Sequence, residues 1–484
     1  MTKRVIIIGN HPISKDLVRQ YEGKGYSVVV QPSLSPEGIG IDDFDELCLL
    51  AGENEDNKAL ALLGRLAEEY DVNRHEGLRM RCHLLLHDGE TLQQLQTCDL
   101  SDEVRQKMDV YPFTIEEVWA RGITFDYEPI TLQSTRHVHL VLFGFGELAE
   151  CVAIHAARVA HYPNYVRNHT MRTRITFIEP QAEKKCERFI QRYQPLFDNS
   201  YYRVVKPSEE VAVTKLHRPM YEGKREDFVD VEWEFVEADI WNATVREKLE
   251  LWAKDPQQLL TVVLADPDGD KNTAQALFLP NELHLRNVPV HCYKGLDSGG
   301  SYDVTLPLVR MAKNVNYIYD RCYEENVLNG NGYLRFAIEA DPEERERSWA
   351  KLSAVRRMSS IYNAMTIPSK MRSVGLDEKD WDKFYDIPQQ DIELLAQVEH
   401  NRWSVETLIS GYRPCTDAEQ KIIAADVGTQ KGAFKARKIH YDLRAYHDLK
   451  PDGTGKSVQV YDVCLSSCLP WIAKEFADEK GGRE

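Results

Sequence analysis

Short apolar runs separated by amphipathic stretches organise the chain up to about residue 300. Runs at 4–8, 27–30, 47–51 and 82–86 recur in kind at 139–143, 174–178, 233–238, 260–265 and 288–292, each rich in Val, Ile, Leu or Phe, and read as buried strands. Helical spacing lies between them: Leu148, Val152, His155 and Val159 share one face. The alternation predicts two tandem, doubly wound α/β domains over residues 1–130 and 131–300, the second enlarged by insertions at 161–173 and 198–230. Beyond them strands give way to helices, expected at 345–365 and 391–411 with polar connectors at 368–390 and 411–420. Residues 301–484 are therefore read as a mainly α-helical third domain.

The two α/β halves read as a decayed repeat. Residues 4–9 match 139–144 as a strand ending in glycine, and Glu55-Asp56-Asn57-Lys58-Ala59-Leu60 matches Asp270-Lys271-Asn272-Thr273-Ala274-Gln275. The copies part at the turn after the first strand. Residues 144–149 spell Gly-Phe-Gly-Glu-Leu-Ala, a Gly-x-Gly-x-x-Ala turn between strand and helix, where the first copy has Gly9-Asn10-His11-Pro12-Ile13-Ser14. Gly144 permits the tight turn, Gly146 leaves space for a pyrophosphate against the backbone, and Ala149 lets the helix sit close to the sheet. The amides of that helix, from Glu147 on, would face the phosphates. Glu179 ends the next strand, the usual place for a carboxylate that takes a ribose hydroxyl pair, although it lies beyond the usual spacing of about 20 residues. Phe145, Asp239, Ile240 and Ala265 are the remaining candidates for the wall of this site. The first copy, lacking both glycine turn and acid, is read as a degenerate structural partner.

A formal charge of −17 argues against nucleic acid or an anionic membrane as the main partner, since either calls for an excess of Lys and Arg. The basic run Lys431, Lys435, Arg437 and Lys438 is read as a solvated helix face rather than a phosphate contact. The N-terminal apolar run is too short for a signal peptide and no stretch approaches bilayer length. Ten cysteines without a Cys-x-x-Cys pair suggest reduced thiols and a cytoplasmic protein.

No Gly-x-Ser-x-Gly elbow, His-Glu-x-x-His pair or Walker loop occurs. His137 with His139, and His83 with His87, share strand faces, but core or edge histidines are the simpler reading than metal ligands. Residues 266–270, Asp-Pro-Asp-Gly-Asp, lack calcium-loop spacing and its closing Glu, and read as a solvated loop. No metal is expected. In 391–411, Leu395, Val398, Arg402, Val405 and Ile409 form one stripe and Glu399, Trp403 and Glu406 another. This spacing sets Arg402 between two carboxylates. The plainest interpretation is a surface ion ladder with Trp403 as core filler.

Two resemblances sharpen this picture. Gly144, Gly146, Glu179, Glu237-Ala238-Asp239 (where Gly-Asp is usual) and the Asp-x-Asn helix start resemble the TrkA-N family, the regulatory nucleotide-binding domain of potassium transporters and channels. It covers about 138–292 well and 4–90 weakly, and implies that Gly144, Gly146, Glu179 and Asp239 line NAD or a related adenine nucleotide. Glu399-His400-Asn401-Arg402-Trp403-x-x-Glu406, with Gly411-Tyr412-Arg413 after it, resembles the ryanodine-receptor (RyR) domain of bacterial proteins. Trp349-x-x-Leu352 with Arg357-x-Ser359-Ser360 upstream, and His440-Tyr441-Asp442-Leu443 downstream, agree with it over about 345–471. Tyr446 replaces the usual Trp, and Pro414-Cys415 the usual Tyr-Gly. The pairing of both modules in one chain also resembles known bacterial proteins.

The resemblances imply a non-catalytic regulatory protein that binds NAD(H) or an ADP-ribose-like nucleotide in the second domain. Its RyR-like module would take a small ligand or a protein partner: Trp403, Tyr412 and Tyr441 would stack a flat group, and His400, Arg402 and Arg413 would hold its anionic groups. The alternatives are a NAD-dependent oxidoreductase with the C-terminal module as substrate cap, and an interaction scaffold, or homo-oligomer, with a vestigial nucleotide site.

Overall fold

The computed structural model describes residues 2–35, 38–207, 212–219, 227–295, 302–322, 341–376, 387–451 and 457–473. Parts of the expected insertion at 198–230 and of the connector at 368–390 lie outside them. The chain divides into two compact units, one of Met1–Ile123, Gly295–Leu306 and Pro342–Met358, the other of Thr124–Lys294, Pro307–Asp341 and Ser359–Glu484. The helices of the C-terminal third are thus shared between the two, and so is the segment that resembles an RyR module.

In the first unit, β1 (Arg4–Ile8), β2 (Ser27–Gln31), β3 (Glu46–Leu50), β4 (Met80–Leu85) and β5 (Met108–Phe113) form a parallel sheet in the order β2-β1-β3-β4-β5. Alternate residues of β1 enter different cores. Ile6 and Ile8 pack with Leu62 and Leu66 of helix Asp56–Glu69, while Val5 and Ile7 pack with Leu17 and Tyr21 of helix Ser14–Gly23. Burial on both faces is why β1 and β3 read as near-continuous apolar runs, whereas the edge strand β2 leaves Val29 and Val30 exposed. Gly9 ends β1 with φ +121°, and a Cβ there would stand 2.1 Å from the carbonyl oxygen of Leu50, so only glycine allows this approach of β1 to β3. Buried Trp349 also belongs to this unit, beneath the guanidinium of Arg357, which pairs with Asp109 at 3.0 Å.

In the second unit, β6 (His137–Phe143), β7 (Thr173–Glu179), β8 (Tyr201–Lys206), β9 (Ala212–His217), β10 (Val231–Glu237), β11 (Gln258–Leu264) and β12 (Val290–Cys292) form a seven-stranded sheet. Its order is β12-β11-β6-β7-β10-β8-β9, parallel except for the β8–β9 hairpin. Without that hairpin, the five remaining strands follow the 3-2-1-4-5 order of a Rossmann-like sheet. The repeat is visible in the topology: β1 and β6 each have the next strand on one side and the first crossover strand, β3 or β11, on the other.

Helix Gln389–Ile409 packs against helices Glu147–Val159, Pro163–Arg167 and Gln194–Asp198 of the same unit. Helix Ala354–Ser373 does not stop before the expected connector but continues through Pro368, with Ile367, Lys370 and Met371 buried around it. Burial beyond the proline compensates for the backbone hydrogen bond that its ring removes.

Candidate functional site

The strand β6 delivers its glycine turn to the crossing point of the sheet, between β7 and β11. Open α/β sheets bind ligands beyond the carboxyl ends of the strands at such a point. Gly144 has φ +101°, and its virtual Cβ lies 3.4 Å from the carbonyl oxygen of Ala265, so the turn is seated directly on the end of β11. The amide of Gly144 donates to Ile178 at 3.2 Å, tying it to β7 as well. The ring of Phe145 turns inward, stacked 4.3 Å from Phe177 and near Phe189 and Phe235. It anchors the turn, and only its backbone belongs to the mouth.

Gly146 differs from both. Its backbone is extended, and no described residue comes within 4 Å of where a Cβ would stand. It is the N-cap of helix Glu147–Val159, which receives no side-chain cap among the described residues. An open space over the amides of a helix start suits an anion. Exposed Glu147 lies in the first turn, and Ala149 is buried against the sheet.

Glu179 ends β7 in register with Glu237 of β10, and its carboxylate lies 3.0 Å from Lys185 Nζ. The other expected wall residues separate. Asp239 is exposed and its carboxylate accepts the amide of Trp241 at 2.9 Å, closing its own turn. Ile240 is buried in the core beside Val245 and Leu249. Ala265 contributes its carbonyl under Gly144.

Three residues not expected in the wall of this site meet beside it: Asp266, Lys271 and Asn272. Lys271 pairs with Asp266 at 2.5 Å, and buried Asn272 ties the backbone of Asp266 to that of Tyr293 through bonds of 2.7 to 3.0 Å. In the first unit Asp56 performs the matching task, accepting the amides of His87 and Asp88 at 2.8 Å. The sequence match pairs Asp56 with Lys271, not Asn272, so only the structure shows which residues are equivalent. Partial burial opposes ionisation of Asp266, but the Lys271 ammonium and the amide of Asp268 hold its carboxyl below the usual range.

Arg402, on helix Gln389–Ile409, lies between Glu399 and Glu406 as its spacing predicts, but in the interior rather than on the surface. Its Nη2 is 2.8 Å from Glu399 and its Nη1 2.6 Å from Glu406. Lys370, from helix Ala354–Ser373, reaches the other oxygen of Glu399 at 2.5 Å. Burial opposes the charge on Glu399, yet Arg402 and Lys370 hold its carboxyl at about 2. Next to it, His400 bonds the carbonyl of Arg444 at 2.8 Å and lies 3.4 Å from Asp462. All these side chains are buried, so Arg402 and His400 serve the interior of the module.

The aromatic candidates divide. Half-buried Trp403 and Tyr412 meet at the ring of His440, with centroids 4.9 and 5.9 Å away, and Lys438 Nζ stands 4.5 Å over Tyr412. Lys438 has φ +59°, an uncommon conformation for a residue with a side chain, and its carbonyl pairs with the amide of Arg413. Tyr441 lies instead beneath Arg444 at 4.4 Å, and exposed Arg413 is held by Glu419 at 2.7 and 2.8 Å. His440 and Lys438 thus replace Tyr441 and Arg402 in the face that is formed. Burial lowers His440 to about 3, so its ring is neutral beside Trp403.

Among the described residues no group of three His, Cys, Asp or Glu could hold a metal ion, and no helix is long and apolar enough to cross a membrane. His139 is a core residue, bonded to Gln258 at 2.7 Å and Thr176 at 2.9 Å, and His83 is bonded to Tyr302 at 2.7 Å. No protein-family model matches the chain, and neither a curated protein nor a solved structure matches it.

Proposed function

We propose that the chain is a non-catalytic regulatory protein that binds NAD(H) or an ADP-ribose-like nucleotide at the glycine turn of its second unit. The observation that carries this is the open space at Gly146, over a helix start at the crossing point of the sheet, with Glu179 at the end of the adjoining strand. The diphosphate would lie along the helix amides and Glu179 would accept from ribose hydroxyls. Carbons that carry no charge gain little from such a site, so the nucleotide's phosphates supply the recognition.

The face formed by Trp403, His440, Tyr412 and Lys438 suits a second, flat and anionic ligand or a partner side chain. Helix Gln389–Ile409 carries Trp403 and packs on helix Glu147–Val159, which begins at the glycine turn. Differential affinity of the nucleotide for one arrangement of these helices would pass from the first site to the second. The resemblance to TrkA-N and RyR modules agrees with this division of labour.

The test is thermal unfolding of the wild type and of Gly146→Trp with NAD, NADH and ADP-ribose. No described atom beyond its chain neighbours lies within 4 Å of a Cβ at Gly146, and the unfolding temperature of Gly146→Trp without nucleotide reports whether the variant is folded. The wild type is expected to be stabilised by at least one nucleotide and the variant by none. Equal stabilisation of both would move the site elsewhere.

A further inference from the structure

Two ion pairs stand on the lip of the glycine turn. Lys271 Nζ lies 2.5 Å from Asp266 Oδ2, and Lys185 Nζ lies 3.0 Å from Glu179 Oε1. Asp266 follows β11 and Glu179 ends β7, the two strands that flank β6. The four groups therefore bracket the end of β6, where the amide of Asp266 is 3.7 Å from the virtual Cβ of Gly144. The lysine side chains are 54 % and 40 % exposed, their acids only 23 % and 14 %. The acids are fixed while the ammonium ends reach water. Asp266 is the more rigid, with its carboxylate accepting the amide of Asp268 and its own backbone held by Asn272.

An exposed ion pair of this kind contributes little and is readily exchanged. A phosphate offers several acceptor oxygens and at least one full charge, and is a better partner for an ammonium than a single shared carboxylate oxygen. Resting on the nucleotide reading of the glycine turn, we infer that Lys271 and Lys185 are phosphate-binding side chains of this site, and that Asp266 and Glu179 are internal anions that occupy them until a ligand takes their place. With two lysines spanning the turn, the ligand class is a nucleoside diphosphate or its sugar ester rather than a nucleoside. Release of Lys185 also frees Glu179 to accept from the ribose.

An internal anion has a consequence that a merely structural pair lacks: removing its charge strengthens binding of an external anion. Calorimetric titration of the full chain with ADP-ribose, ADP and adenosine, at low and high salt, tests this on Lys271→Gln, Lys185→Gln and Asp266→Asn. Asparagine keeps the Oδ1 acceptor for Asp268 while losing the charge. Lys271→Gln and Lys185→Gln are each expected to weaken ADP-ribose binding about tenfold, the worth of a charge-assisted hydrogen bond, and to reduce the salt dependence. Asp266→Asn is expected to tighten it by up to about fivefold, the worth of an exposed ion pair. Adenosine binding changes in none of the three variants. If the wild type binds ADP-ribose but Lys271→Gln or Lys185→Gln binds equally well, or Asp266→Asn binds less well, the inference is overturned and the nucleotide site stands. A wild type that binds none of the three compounds overturns both.

Discussion

Arg402 and Glu399, three residues apart on one helix, are each 1 % exposed and are joined by paired hydrogen bonds from the guanidinium to the carboxylate. Glu406 and Lys370 extend the pair into a buried chain of alternating charge. Such a chain is stable only when complete, since a single missing partner leaves a charge in the interior without compensation.

Glu399→Gln therefore strands Lys370 and part of Arg402, and is expected to cost about 3–5 kcal/mol in urea unfolding. The acid limb should change as well. The folded carboxyl of Glu399 sits at about 2, below its ordinary 4.5, so its contribution is fully present above pH 4.5 and is lost as pH falls through about 2. Stability of Glu399→Gln should fall less steeply over that window than that of the wild type. Parallel curves would remove the pair from the account.

His440 gives a second window. Its folded value of about 3 lies below the ordinary 6.5, so the stability it contributes is present above pH 6.5 and declines as pH falls towards 3. His440→Phe keeps a ring against Trp403 and Tyr412 and should flatten the wild-type decline between these limits. The difference in tryptophan fluorescence between the wild type and Trp403→Phe, one tryptophan of eight, isolates the signal of Trp403, whose ring lies 4.9 Å from that of His440.

The glycines are expected to differ sharply on substitution by alanine. At Gly9 the methyl would stand 2.1 Å from the carbonyl oxygen of Leu50, and a loss of more than about 2 kcal/mol is expected in thermal unfolding, as for other forced overlaps in a packed core. Gly146→Ala meets no described atom within 4 Å and keeps an extended backbone, so it should unfold within about 0.5 kcal/mol of the wild type. Similar losses at both positions would contradict the distinction between a packing glycine and a glycine that keeps a site open.

The strands were legible where apolar runs are unbroken, because a parallel sheet covered on both faces leaves no polar alternation. The fifth strand, Met108–Phe113, was not: Asp109 and Pro112 interrupt it. The β8–β9 hairpin was hidden in a polar insertion that reads as loop. Helical spacing revealed that Arg402 lies between Glu399 and Glu406, but Lys370 comes from another helix and leaves no local signal. The glycine turn was legible in its backbone requirement, not in the direction of Phe145, whose ring joins the core. Tyr412 and Trp403 share His440 because residues 413–414 pair with 439–440, a contact across sequence that no local pattern contains.

The most direct measurement is mass spectrometry of the small molecules released when wild-type protein and Gly146→Trp, purified alike, are denatured. A diphosphate-containing adenine nucleotide is expected from the wild type and not from the variant. The same nucleotide retained by Gly146→Trp would contradict that expectation.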